Sequence, residues 1–166
     1  MEYLRTFELF NFDKTYDYEL VEVDRSQLFS SNGHSGDIYL YKFISSLDQT
    51  KYYVQILHDF TSNYSTVSFS DKKYRSPLIS ILKGPGKDVL TNKNEPFNIL
   101  NTVIKICKDF YDEHKNQIDC FYIKAHLKKR INVYTYIIKK YFKNWKIITK
   151  QEDEDLYSMT IKKPEI

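Results

Sequence analysis

At Pro96 the hydrophobic period of the chain changes, and the kind of structure each half can form changes with it. Upstream, TYDYELVEVD (15–24) sets Tyr16, Tyr18 and Leu20 against Asp17, Glu19 and Val21 on a period of two. DIYLYKFISS (37–46) and TKYYVQILHDF (50–60) repeat that alternation, separated by Leu47-Asp48-Gln49, and read as an antiparallel hairpin. STVSFSD (65–71) and SPLISILK (76–83) are two further short strands; the second is nearly continuous in apolar residues and is expected to be central. The stretch SQLFSSNGHSG (26–36) collects serine, asparagine and glycine and reads as a connection.

Downstream, Leu100, Val103, Ile104, Cys107, Phe110 and Tyr111 recur at three- and four-residue steps, and Pro96 suits a first helical turn. Residues 97–113 are therefore an amphipathic helix. IDCFYIKA (118–125) is apolar at both parities, the pattern of a strand buried on both faces. LKKRINVYTYIIKKYFKN (127–144) is a second helix with Leu127, Ile131, Tyr134, Ile138, Tyr141 and Phe142 on one stripe. WKIITKQ (145–151) and DLYSMTIKKP (155–164) form a hairpin about Glu152-Asp153-Glu154. A strand–helix–strand unit in a mostly antiparallel sheet demands a right-handed crossover and one parallel pair. The expected fold is a single domain over 1–166, α+β, with a mixed, mostly antiparallel sheet and two amphipathic helices, each covering a sheet face.

Composition supports a packed domain. Hydrophobic residues are 42% of the 166, and the 15 tyrosines and 11 phenylalanines suit strands with one wet and one dry side. Cys107 and Cys120 have no metal or redox spacing and read as small buried hydrophobes in a reducing compartment. The first residues, MEYLRTFELFNFDK, lack the apolar core of a signal peptide, and no stretch reaches the ~20 apolar residues of a membrane span, so a cytoplasmic protein without a membrane partner is expected. Charge is unevenly placed: residues 101–150 carry 12 Lys/Arg against 4 Asp/Glu, while 151–166 carry 2 against 5. The second helix concentrates this in Lys128, Lys129, Lys139, Lys140 and Lys143, a candidate binding surface with Tyr136 and Trp145 close by.

Two stretches of the second half carry a resemblance. One is a strand, the glycine pair of Gly84-Pro85-Gly86, then a helix beginning Phe97-Asn98-Ile99-Leu100-Asn101-Thr102. The other is the strand holding Phe121, followed by Arg130, Tyr134 and Ile137-Ile138-Lys139-Lys140-Tyr141. Over about residues 76–150 the chain resembles GNAT-type N-acetyltransferases, and more closely small GNAT-like proteins of bacteriophage genomes. The resemblance implies a fourth strand, a coenzyme A-binding helix, a fifth strand, another helix and a terminal hairpin. For an acyltransferase it implies Gly84, Gly86 and Lys87 at the cofactor and Tyr134 as the residue protonating the departing thiolate.

The residues depart from the family's pyrophosphate cradle, Arg/Gln-x-x-Gly-x-Gly/Ala leading directly into a helix. Ile81 stands where arginine or glutamine is expected, Pro85 lacks an N–H, and the helix begins ten residues after Gly86. No cofactor is therefore expected, and the glycines read as a turn. His34, His58, His114 and His126 lack paired ligand spacing, so no metal is expected either. His58 and Asp59 are adjacent on a strand and point to opposite faces, a poor acid–base pair. The reading is a degenerate acetyltransferase-like protein, phage-encoded, that is non-catalytic and binds or assembles with a host or virion protein. Its alternatives are an acyl-CoA-dependent N-acyltransferase and a nucleic-acid-binding accessory protein using the basic helix 127–143.

Overall fold

The computed structural model describes residues 14–25, 35–47, 49–71, 96–126, 128–154 and 156–165. Seven strands form one sheet: β1 (Tyr18–Asp24), β2 (Gly36–Ile44), β3 (Lys51–Asp59), β4 (Tyr64–Ser70), β5 (Cys120–His126), β6 (Lys146–Gln151) and β7 (Leu156–Lys162). Two helices, α1 (Pro96–Glu113) and α2 (Lys128–Tyr141), precede and follow β5. The strand order is β1-β2-β3-β4-β5-β7-β6. Every neighbouring pair is antiparallel except β4 and β5, so the fold is α+β with a mixed sheet. Among the described residues, the order from β4 onward is strand, helix, strand, helix and terminal hairpin.

The register explains which side chains form the core. Tyr39, Tyr41 and Phe43 pair with Ile56, Val54 and Tyr52, and Ile56 and Val54 pair onward with Val67 and Phe69 on β4. Val67 lies opposite Ile123 and Ser65 opposite Phe121; Phe121 and Ile123 in turn face Ile161 and Met159. Period two thus carries one apolar layer across the sheet, and α1 and α2 are laid on it. Ile99, Leu100, Val103, Ile104, Ile106, Cys107 and Phe110 of α1 are buried, as are Ile131, Tyr134, Ile137 and Ile138 of α2. Phe110 meets Tyr39 with ring centroids 4.7 Å apart, and Phe142, just past α2, meets Phe121 at 5.7 Å. Tyr39 and Phe121 belong to the same sheet face by register, so both helices cover one face. The expectation of a helix covering a face apiece narrows to a shared face, because two consecutive right-handed crossovers in one direction fall on the same side.

Two other expectations change for the same reason. β5 is central, as its flanking elements require, but over Cys120–Lys124 Phe121 and Ile123 are buried while Cys120, Tyr122 and Lys124 on the other face are half-buried. Cys107 is fully buried, whereas Cys120 is not, and both are free thiols. The strand that enters the crossover among the described residues is β4; the segment 76–83, expected to be central, lies outside them, as do most of 26–36 and the residues before Lys14.

Turn chemistry holds the hairpins in register. Gln49 and Asn63 have φ of 55°, the left-handed region, in the β2–β3 and β3–β4 turns. Asparagine tolerates that region well. Ahead of Asn63, the Asp59 carboxylate accepts the Thr61 N–H and the Ser62 hydroxyl, both at 2.8 Å. Asn63 then links the turn to the start of β5: its carbonyl accepts the Asp119 N–H at 2.9 Å and its amide donates to the Asp119 carboxylate at 3.1 Å.

Gly36 opens β2 opposite Asp59, so close to the neighbouring strand that a Cβ there would stand 2.4 Å from the His58 carbonyl oxygen. Gly36→Ala forces backbone apart and is expected to cost ~1–3 kcal/mol of stability by overpacking. Urea unfolding measures it; an unchanged midpoint contradicts the close approach.

Candidate binding site

The parallel pair is where the sheet opens. Paired register runs from Tyr64↔Cys120 to Val67↔Ile123 and stops, although β4 continues to Ser70 and β5 to His126. On their outer sides both strands stay paired to their ends, Ser70 with Tyr53 and His126 with Leu156. β4 and β5 therefore part at their carboxyl ends, the position where open sheets with parallel strands admit ligands. Tyr134 is 1% exposed within the α2 stripe facing the core. Gly84, Gly86 and Lys87, with Pro85 and Ile81, lie outside the described residues.

The polar residues in the first half of α1 hold the chain together. Thr102 Oγ1 donates to the Asn98 carbonyl at 2.7 Å and accepts the Tyr16 N–H at 2.9 Å. Asn101 Nδ2 donates to the Lys14 carbonyl at 3.0 Å, and its Oδ1 accepts the Tyr141 hydroxyl at 2.9 Å. Both side chains are buried, so these bonds dock the segment before β1 onto α1 and tie α1 to α2.

Of the basic set on α2, Lys139 and Lys143 are exposed and Lys140 is half-buried, its Nζ 5.3 Å from the Tyr141 ring centre. Lys128 and Lys129 occupy the first turn of α2. Tyr136 is 57% exposed and lies one turn before the exposed Lys139 on α2, while Lys143 sits in the turn that follows the helix. This is an aromatic set among cations on an outward face.

Sequence reasoning missed a second basic feature because its residues come from three elements. A cleft of about 370 Å³ lies where the last turns of α1, the end of α2 and the chain after β7 meet. Tyr111, Phe142 and Trp145 give it apolar walls, and Lys108, Lys143 and Lys163 line it as well. Trp145 stands at 88° to Tyr111 with centroids 4.9 Å apart and also meets Phe142 at 5.0 Å. The Nζ atoms of Lys108 and Lys163 each lie 5.8 Å from the Tyr111 ring centre, so one ring carries two cations. Lys163 is fixed there by its N–H, which donates to the Asp119 carbonyl at 2.8 Å. Trp145 is thus part of the packing that joins helix and hairpin, with one side on the cleft. Its position relative to Lys163, eighteen residues on in the sequence, had no local signal.

The remaining titratable groups do not assemble into catalytic machinery among the described residues. His58 is fully buried, with Nδ1 2.9 Å from Ser65 Oγ and its ring against Phe60; Nε2 has no hydrogen-bond partner there. Asp59 points away into its turn, as the alternation of a strand requires. Burial pushes the Cys107 thiol up to about 12 and, with Asp119 adding repulsion, the Cys120 thiol up to about 11, so neither is a thiolate near neutral pH. No group of His, Cys, Asp and Glu suited to a metal ion occurs among the described residues. Among them, too, no helix is long and apolar enough to cross a membrane.

No protein-family profile matches the chain, and no curated protein matches it. Among solved structures, an acetyltransferase from Bacillus subtilis in complex with CoA is similar at a TM-score of 0.42 and 10% identity, over 90% of this chain and 100% of that one.

Burial, and next the like charge of His114, hold the His58 imidazole below its ordinary 6.5, against the weaker opposing pull of Asp59 and Asp37. A depressed folded-state value means that the unfolded chain takes up this proton first. Stability is complete above about pH 6.5 and is lost as pH falls toward the folded-state value. His58→Gln is expected to flatten the fall in urea-unfolding free energy between about pH 6.5 and 5; an unchanged slope contradicts the assignment.

Proposed function

We propose that this chain is a non-catalytic binding or assembly protein whose partner is another protein, engaged through the outward stripe of α2. The observation that carries this reading is Tyr136, a large aromatic 57% exposed one helical turn before the exposed Lys139. Aromatic anchors are over-represented where protein interfaces concentrate their energy, and a cationic surround favours an acidic partner and speeds encounter. The concentration of 12 basic against 4 acidic residues over 101–150 supports the same partner chemistry. A phage origin, with a host or virion protein as partner in the cytoplasm, fits the resemblance and belongs to the proposal.

A second reading is an acyl-CoA-dependent N-acyltransferase. The parting of β4 and β5 beyond Val67 and Ile123 favours it. Gly84, Gly86 and Lys87 would then hold the cofactor pyrophosphate and Tyr134 would deliver a proton. Pro85 and Ile81 speak against that site, since one lacks a donor and the other a charge. The nucleic-acid reading rests on the same lysines and predicts a steep loss of affinity with salt.

Lysine-directed cross-linking in the cells that make the protein, followed by mass spectrometry, is expected to join Lys139, Lys140 and Lys143 to one protein. With that protein purified, Tyr136→Ala combined with Lys139→Gln should weaken binding about tenfold or more, the equivalent of ~1.4 kcal/mol. Cross-links spread evenly over all lysines contradict the reading. In thermal unfolding, millimolar acetyl-CoA is expected to leave the midpoint unchanged, because a ligand bound to the native state alone must raise it. A rise abolished by Gly86→Trp establishes the acyltransferase instead.

A further inference from the structure

We infer that the cleft at Tyr111 and Trp145 is an anchor site for an acidic peptide segment carrying one flat apolar side chain. The inference rests on the protein-binding reading above and gives that partner a recognition element. The volume of about 370 Å³ is at the low end of the ~300–1,000 Å³ of ligand sites, enough for one aromatic side chain and its flanking backbone. The walls offer a ring what it needs: Phe142, Trp145 and Tyr111 are set edge to face, and Pro164 closes one side with a restrained backbone.

The charge at the cleft has one sign. Lys108, Lys143 and Lys163 come from α1, the turn after α2 and the chain after β7, and no acidic side chain among the described residues lines the depression. Lys108 pairs with Asp112 one turn along α1, outside the lining. Lysine stems lie along apolar surface and leave the ammonium groups at the rim. A partner's Asp or Glu on either side of the anchor would meet them as the ring enters. Single-stranded nucleic acid fits less well. Tyr111 and Trp145 stand at 88°, so they present no pair of parallel faces for successive bases, and the three cations converge on one depression.

Trp145 is the sole tryptophan, which makes its emission a direct reporter of the cleft. The probe is a short peptide of Asp and Glu around a single central Phe, titrated into the full chain. A saturable change in Trp145 emission is expected, with affinity falling as salt rises. Lys108→Gln combined with Lys163→Gln should weaken binding about tenfold or more, while Tyr136→Ala on the outward stripe leaves it within about twofold. Replacing the central Phe by Ala, or the acids by Asn and Gln, should each abolish the change. The circular dichroism and melting midpoint of each variant are compared with those of the parent, so that a folding defect is seen as such. No emission change at millimolar peptide, equal binding of the Ala peptide, or tighter binding of a single-stranded oligonucleotide that is lost in the same variants, overturns the site. Cross-links from Lys139 and Lys140, which do not line the cleft, to one protein alongside a silent peptide titration would remove the cleft and leave the protein-binding reading standing; a positive titration with evenly spread cross-links would do the reverse.

Discussion

The parallel alignment of β4 with β5 is the constraint on which the rest of the described structure depends. Antiparallel neighbours can be joined by tight turns, as β2 is to β3 and β3 to β4. A parallel partner requires the chain to travel the length of the sheet and return, so α1 has to exist and has to lie on the sheet. Four registered pairs, from Tyr64↔Cys120 to Val67↔Ile123, hold the two halves of the sheet together. The Asn63–Asp119 bonds sit at the start of that pairing and act as its clamp. Beyond Val67 and Ile123 each strand remains committed to its other neighbour, and the two separate.

The same constraint places the cleft. Since α1 and α2 follow one another onto one face, their carboxyl ends finish side by side, and Tyr111 comes within ring contact of Trp145 and Phe142. The chain leaving β7 passes the same corner, bonded through Lys163 to Asp119 just ahead of β5. The cleft is thus the gap left where three elements end, and Tyr141 of its lining reaches back along α1 to Asn101. Its walls are also core: Phe142 is 2% exposed and packs on Phe121. A ligand at this corner would feel, and act on, the packing between the helices and the sheet.

Most of the architecture was legible in the chain because period two and period 3.6 are properties of local sequence. The run from Leu100 to Tyr111 marks α1, and Tyr52, Val54, Ile56 and His58 mark the buried face of β3. What was not legible depends on residues distant in sequence. That both helices share one face follows from the handedness and order of two crossovers, and β5's one-sided burial follows from that. Lys139 and Lys143 were visible as a basic stripe on α2, whereas Lys108 and Lys163 carry no pattern of their own and become part of a site only when Tyr111 is brought between them. His58 read as a polar residue at a strand end; its full burial comes from Phe60 and the α1 layer above it.

Amide hydrogen exchange on the native protein tests the role of the β4–β5 junction most directly, because exchange free energies rank segments by how much of the fold must open to expose them. The N–H groups of Ser65, Thr66 and Val67 and of Phe121, Tyr122 and Ile123 should be among the slowest in the chain, exchanging only through global unfolding. The outer strands β1 and β6 should exchange earlier. Exchange of the β5 amides as fast as those of β1 and β6 would contradict the account, since it would mean that the two halves of the sheet open without unfolding the rest.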